Sequence, residues 1–159
     1  MPEETVFESG RYRAMEQARK WLPQPEIDFA CADISYWWAS EMGAALIAVM
    51  HFSRVVDGFS KDLEITFRNP LAVQWEEESF GLVESTEELP KCSGKFSGWT
   101  HPTLIVDNSR WAGRYAARKY SESDARAGAI THYFLVSMND LLHVLTERVP
   151  ETRWIKPDA

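Results

Sequence analysis

The sequence predicts a single α+β domain spanning residues 1–159, built as a largely antiparallel, curved or barrel-like sheet with one N-terminal helix and one late helix. Three observations carry that expectation. Apolar and polar residues alternate over several stretches, which is the period of a half-buried strand. A helix is the preferred reading in two places. Strand-like runs also succeed one another without the regular strand-then-helix rhythm of a doubly wound parallel sheet.

Taken in order, the first element is expected to be a helix over residues 11–22. Ser9 can cap it, Tyr12, Met15, Ala18 and Leu22 recur at helical spacing, and Pro23 and Pro25 stop it. From Ile27 the period becomes two. Ile27, Phe29 and Cys31 alternate, then Ile34, Tyr36 and Trp38 alternate on the other parity, so a bulge or corner is expected near Asp33. The run 44–56 fits a buried strand or a helix capped by Ser40, and the strand is preferred because Gly43 and Asp57-Gly58 look like flanking turns. Over 63–75 Leu63, Ile65, Phe67, Leu71, Val73 and Trp75 share one parity while Glu64, Thr66, Arg68 and Gln74 share the other. Asn69-Pro70 interrupts this without changing parity, which suggests a bent edge strand or two strands joined there.

Residues 90–98 read as loop and 103–106 as a short strand. Asp107, Asn108 and Ser109 then offer caps for a helix over about 110–120. The C-terminal part reads as a hairpin, with 130–138 turning at Asn139-Asp140 and 141–148 returning; a helix starting at Asn139 is its rival, since Leu141, Leu142, Leu145 and Val149 also fit helical spacing.

Composition bounds the function. With 159 residues, 45% of them hydrophobic and 26% charged, the chain resembles an ordinary soluble domain that can bury roughly 70% of its unfolded surface. The longest apolar run, 43–50, is too short to span a bilayer, and the acidic start lacks the features of a signal peptide, so a cytoplasmic protein is expected. Cys31 and Cys92 stand far apart outside any CxxC and are read as free thiols. The net charge of −7 arises wholly before residue 81, where 14 acidic groups face 7 basic ones. That balance disfavours nucleic acid and suits a basic protein partner.

Motifs for nucleotide binding, zinc proteolysis, serine hydrolysis through GxSxG and EF-hand calcium binding are absent from the sequence. No cofactor and no metal are expected. The four histidines, His51, His101, His132 and His143, invite a test as ligands. With Asn139-Asp140 as the turn, His132 falls opposite Glu147 and His143 opposite Val136, which separates the two rings by roughly 13 Å along the ladder. A shared metal is thereby excluded, and His132 with Glu147 is expected to form a simple pair. Six glutamates at 76–78, 84, 87 and 88 read as a solvated loop. Arg110, Arg114 and Arg118 form one row on the late helix, beside Trp111 and Tyr115, and at least one of these arginines is expected to pair with a carboxylate from the first half of the chain. Seven tryptophans are many for this length, and since Trp37 and Trp38 must point to opposite faces of a strand, an exposed member would mark an interface.

The sequence supports two functional readings. One is a binding or interaction module, adaptor or immunity-like, monomeric or homodimeric, whose acidic half meets a basic protein partner. The other is a small-ligand carrier or small enzyme with an anion-accepting, aromatic-lined pocket at the open end of the sheet. Its pocket would be formed by Trp99, His101, Asp107, Arg110 and Arg114, with His101 carrying a proton and Arg110 clamping a small anionic ligand.

Overall fold

Strand formation is strongest where both faces of the chain are apolar. The segment ALIAVMH forms β3 (Ala45–His51), buried along almost its whole length. In the computed structural model, which describes residues 16–23, 30–40, 43–52, 61–77, 91–92, 101–120 and 128–156, β3 lies between β2 (Asp33–Ala39) and β4 (Asp62–Arg68). On the far side of β4 comes β10 (Glu151–Ile155). All three pairings are antiparallel. The strand reading of 44–56 therefore holds for its described part. No pattern in the sequence anticipated β10.

At Asn69-Pro70 the chain changes sheets. Asn69 adopts a left-handed φ of 49°, a conformation Asn tolerates better than most side chains, and Pro70 bars regular continuation of the strand. The Asn69 N–H donates back to the Ala44 carbonyl at 2.7 Å, and two residues later the Leu71 N–H donates to the Leu145 carbonyl at 2.7 Å in the other sheet. The chain then enters β5 (Ala72–Glu77), the edge of a six-stranded sheet. That sheet continues through β9 (Asp140–Thr146), β8 (Thr131–Val136), β7 (Thr103–Asp107) and β1 (Gln17–Lys20) to β6 (Lys91–Cys92). Only β1 with β6 is parallel.

The two sheets meet face to face. Ile34, Leu46, Met50, Leu63, Ile65 and Phe67 from the four-stranded sheet share one core with Ile105, Tyr133, Leu135, Leu142 and Val144 from the six-stranded sheet. Phe67 and Tyr133 meet across the interface with ring centroids 5.7 Å apart. A second cluster of Ala18, Leu104, Val106, Phe134, Val136 and Leu141 buries the opposite face of the six-stranded sheet. One helix, α1 (Arg110–Lys119), adjoins that face, with Trp111 against His132 and His143. Its N-cap is Ser109, whose side chain accepts the Ala112 N–H, as a capping serine should.

The α+β expectation is thus corrected. The described chain is mostly antiparallel sheet with a single short helix, and the sheets are not closed into a barrel, since β2, β5, β6 and β10 remain as edges. The expected N-terminal helix over 11–22 is contradicted where it can be seen. Residues 17–20 are strand, held by antiparallel pairing of Ala18 with Val106 and its neighbours with Asp107, Ile105 and Leu104. Backbone pairing to β7 and complete burial of Ala18 outweigh the helical spacing. Residues 91–92, expected as loop, pair with β1. Of the strand expected at 27–31, residues 27–29 lie outside the described residues and residues 30 and 31 are not strand; the Asp57-Gly58 turn and the glutamates beyond residue 77 also lie outside the described residues.

Candidate functional site

Of the residues expected to form an anion pocket, Asp107, Arg110 and Arg114 lie at the corner between β7 and α1, whereas His101 precedes the opposite end of β7. Asp107 ends the strand and is paired with Arg19, whose Nε lies 3.0 Å from Oδ2. His101 is buried just before β7. Arg110 opens the helix with its side chain exposed, and Arg114 is exposed one turn further on. Trp99 lies outside the described residues. The Arg110 backbone N–H, a group that would hold an anion, donates to the Glu16 Oε2 at 2.6 Å. A carboxylate from the first half of the chain therefore does reach the arginine row, but through the backbone. Among the described residues, none of the Arg110, Arg114 and Arg118 guanidinium groups forms an ion pair.

Behind this corner the geometry departs from expectation. The β8–β9 ladder pairs His132 with Leu145 and Phe134 with His143, two residues out of the expected register. The turn residues are Met138 and Asn139, because the Ser137 hydroxyl accepts the Asn139 and Asp140 N–H groups and donates to the Asp140 carbonyl. Moving the turn by one residue moves the pairing by two, and the histidines come from four rungs apart to two. His132 Nε2 then lies 2.8 Å from His143 Nδ1, and the expected His132–Glu147 pair is replaced by one between Tyr120 Oη–H and the Glu147 carboxylate at 2.8 Å.

The pair continues into the helix cap. Ser109 Oγ lies 2.6 Å from His132 Nδ1 while accepting the Ala112 N–H at 3.0 Å. The hydroxyl uses its proton only if it donates to His132 Nδ1, which puts the His132 proton on Nε2, donating to His143 Nδ1. Phe134 stacks on the His143 ring at 4.1 Å, and the Trp111 edge closes over both histidines. Burial lowers His132 to a pKa of about 4; burial and then the neighbouring His132 lower His143 to about 3. Both rings are neutral at pH 7. Together they tie the helix cap to the sheet.

Among the described residues, a run of exposed aromatic side chains lies elsewhere, along β2. This strand pairs, among the described residues, only with β3, and none of them covers its other backbone edge. Its aromatic residues are exposed in succession: Tyr36 at 38%, Trp37 at 45% and Trp38 at 55%. Trp75, 44% exposed on β5, meets Tyr36 with ring centroids 6.5 Å apart, so the edges of the two sheets carry one aromatic rim. Trp37 faces away from the core on the same side as Ser35.

Ser35 belongs to a second polar line. Its Oγ lies 2.9 Å from His51 Nε2, and His51 Nδ1 lies 2.7 Å from Asp62 Oδ2. The three residues come from β2, β3 and β4, and the ladder alone juxtaposes them, with His51 in register with both Asp33 and Asp62. The sequence does not disclose this line, because it needs two correct registers at once. Among the described residues no group of three or more His, Cys, Asp and Glu side chains is placed to hold a metal ion, and no helix is long and apolar enough to cross a membrane. Comparison with protein-family models, with curated proteins and with solved structures yields no match.

Proposed function

We propose that this chain is an interaction module, adaptor or immunity-like, that receives an extended segment of a basic partner protein along the free edge of β2. One observation carries the reading: among the described residues, β2 is an unguarded edge. Proteins usually blunt such edges with charges, prolines or short strands. Here β6 is two residues long, β10 carries Glu151 and Arg153 in ion pairs with Arg68 and Glu64, and β5 contains Glu76, whereas β2 reads DISYWWA with a single charge at its start. Main-chain pairing along such an edge supplies affinity, and flanking aromatics supply anchors. The net charge of −7 favours a basic partner over a second copy of the chain. A cytoplasmic setting suits Cys31, a buried free thiol.

The test is gentle copurification from the native host, comparing the natural chain with a Trp37→Ser/Trp38→Ser variant. Both side chains are exposed, so the fold should tolerate the change. A stoichiometric partner is expected, lost from the variant and weakened by added salt. A chain that runs alone, or a partner held equally by the variant, contradicts the proposal.

A further inference from the structure

We infer that Ser35, His51 and Asp62 form an acyl-transfer site on the outer face of the four-stranded sheet, acting on neutral carboxylic esters that bear an apolar group. This inference does not depend on what binds the β2 edge.

The arrangement of atoms is directional. Asp62 presents a carboxylate that accepts hydrogen bonds, so His51 Nδ1–H donates to Oδ2 at 2.7 Å. The neutral ring then has its lone pair on Nε2, which accepts the Ser35 hydroxyl proton at 2.9 Å. Nucleophile, base and orienting acid thus stand in the order and on the ring atoms used by serine acyl-transfer enzymes. Accessibility runs in the same order: Ser35 is exposed, His51 is partly exposed and Asp62 is only 2% exposed.

A second observation is independent of that geometry. Asp62 Oδ1 is buried and, among the described residues, has no hydrogen-bond partner. A buried carboxylate that served only to stabilise the sheet would be expected to satisfy both oxygens, since an unpaired one is costly. Asp62 has the His51 ring as its partner and holds that ring in one tautomer.

The surroundings select the substrate. Trp37 lies two residues from Ser35 on the same face, and its register partner Ile47 adds apolar surface beside it. An aryl or alkyl group can rest there while its carbonyl meets Ser35 Oγ. Asp33 and Asp62 flank His51 in register, so an anionic substrate is repelled and a neutral ester is not.

The reaction balances without a co-reactant other than water. Ser35 Oγ bonds to the carbonyl carbon as its proton moves to His51 Nε2. Collapse of the tetrahedral adduct breaks the bond to the alcohol oxygen, and the alcohol leaves with that proton. Water then attacks the acyl-serine, again giving its proton to His51 Nε2. Release of the carboxylic acid returns that proton to Ser35. Asp62 is a positioning residue throughout.

The experiment uses the full chain, an alkyl fluorophosphonate and p-nitrophenyl butyrate. The fluorophosphonate should form a P–O bond to Ser35 with loss of fluoride, located by peptide mapping, and ester hydrolysis should fall by about 100-fold or more in both Ser35→Ala and His51→Gln. Asp62→Asn should lower kcat with KM unchanged, and Asp62→Glu should restore part of it. Because Asp62 is buried, its variants count only if their circular dichroism matches that of the natural chain, while Ser35→Ala and His51→Gln carry the test regardless. Absence of label on Ser35, or label formed equally fast in His51→Gln, overturns the assignment.

Discussion

His143 is sealed by Phe134 and Trp111 and reached by one hydrogen bond from His132, and this packing makes a prediction about acid. Both histidines titrate below the ordinary value of 6.5 in the folded chain, at about 4 and about 3, so on acidification the unfolded chain takes up protons first. Stability is therefore fully present above pH 6.5 and is lost as pH falls toward 4. One pKa unit corresponds to about 1.4 kcal/mol, so urea unfolding should show a loss of about 2–4 kcal/mol between pH 7 and pH 5, a window above most carboxylate titrations. A flat profile there would mean that the rings are hydrated. Cys31 behaves as the opposite kind of buried group. Burial pushes its thiol up to about 12, and its proton is directed at the Asp33 and His51 carbonyls. At pH 8 a disulfide reagent should leave Cys31 unmodified in the native chain and modify it in urea, as read by peptide mapping. The histidine contact was illegible in the sequence for a local reason. Asn139-Asp140 is the more familiar turn pair, but the Ser137 hydroxyl satisfies more turn groups, and that single residue of displacement decides whether the rings touch.

Among the elements, α1 was legible because its start carries its own chemistry, a capping serine after a strand, and needs no partner to be recognised. The cap does more than expected, since Ser109 also satisfies His132 Nδ1. Ser109→Ala should cost about 1–3 kcal/mol, combining a lost cap with a buried unpaired nitrogen. Ser137→Ala should cost about 1–2 kcal/mol through the N–H groups it leaves unpaired. Arg114→Ala should change stability by less than about 0.5 kcal/mol in low or high salt, because the guanidinium is exposed and makes no described ion pair. Urea midpoints at constant slope measure all three, and a large loss for Arg114→Ala would show that its stem packs on the sheet. β1 was illegible for the converse reason. Four residues, QARK, bury one alanine and owe their conformation to β7 rather than to their own pattern.

For the molecule as a whole, the alternation from Leu63 to Trp75 carried the largest true signal and the largest ambiguity. Its unbroken parity fits a bent strand in a closing barrel as well as two strands in facing sheets, because in both cases the same side chains point inward. Asn69 and Pro70 resolve it by crossing between sheets, and the fold then keeps free edges instead of closing on itself. One of these edges, β2, lacks among the described residues the guards of the others, and the Ser35, His51 and Asp62 line runs across the face that begins at it. Neither property is visible without the strand order. Amide hydrogen exchange, on the chain alone and in the complex copurified from its host, interrogates the β2 edge without altering any side chain. Amides of β2 (Asp33–Ala39) should slow markedly in the complex while those of β9, already central in its sheet, do not change. Protection that appears elsewhere and leaves β2 exchanging as in the free chain would contradict docking at that edge.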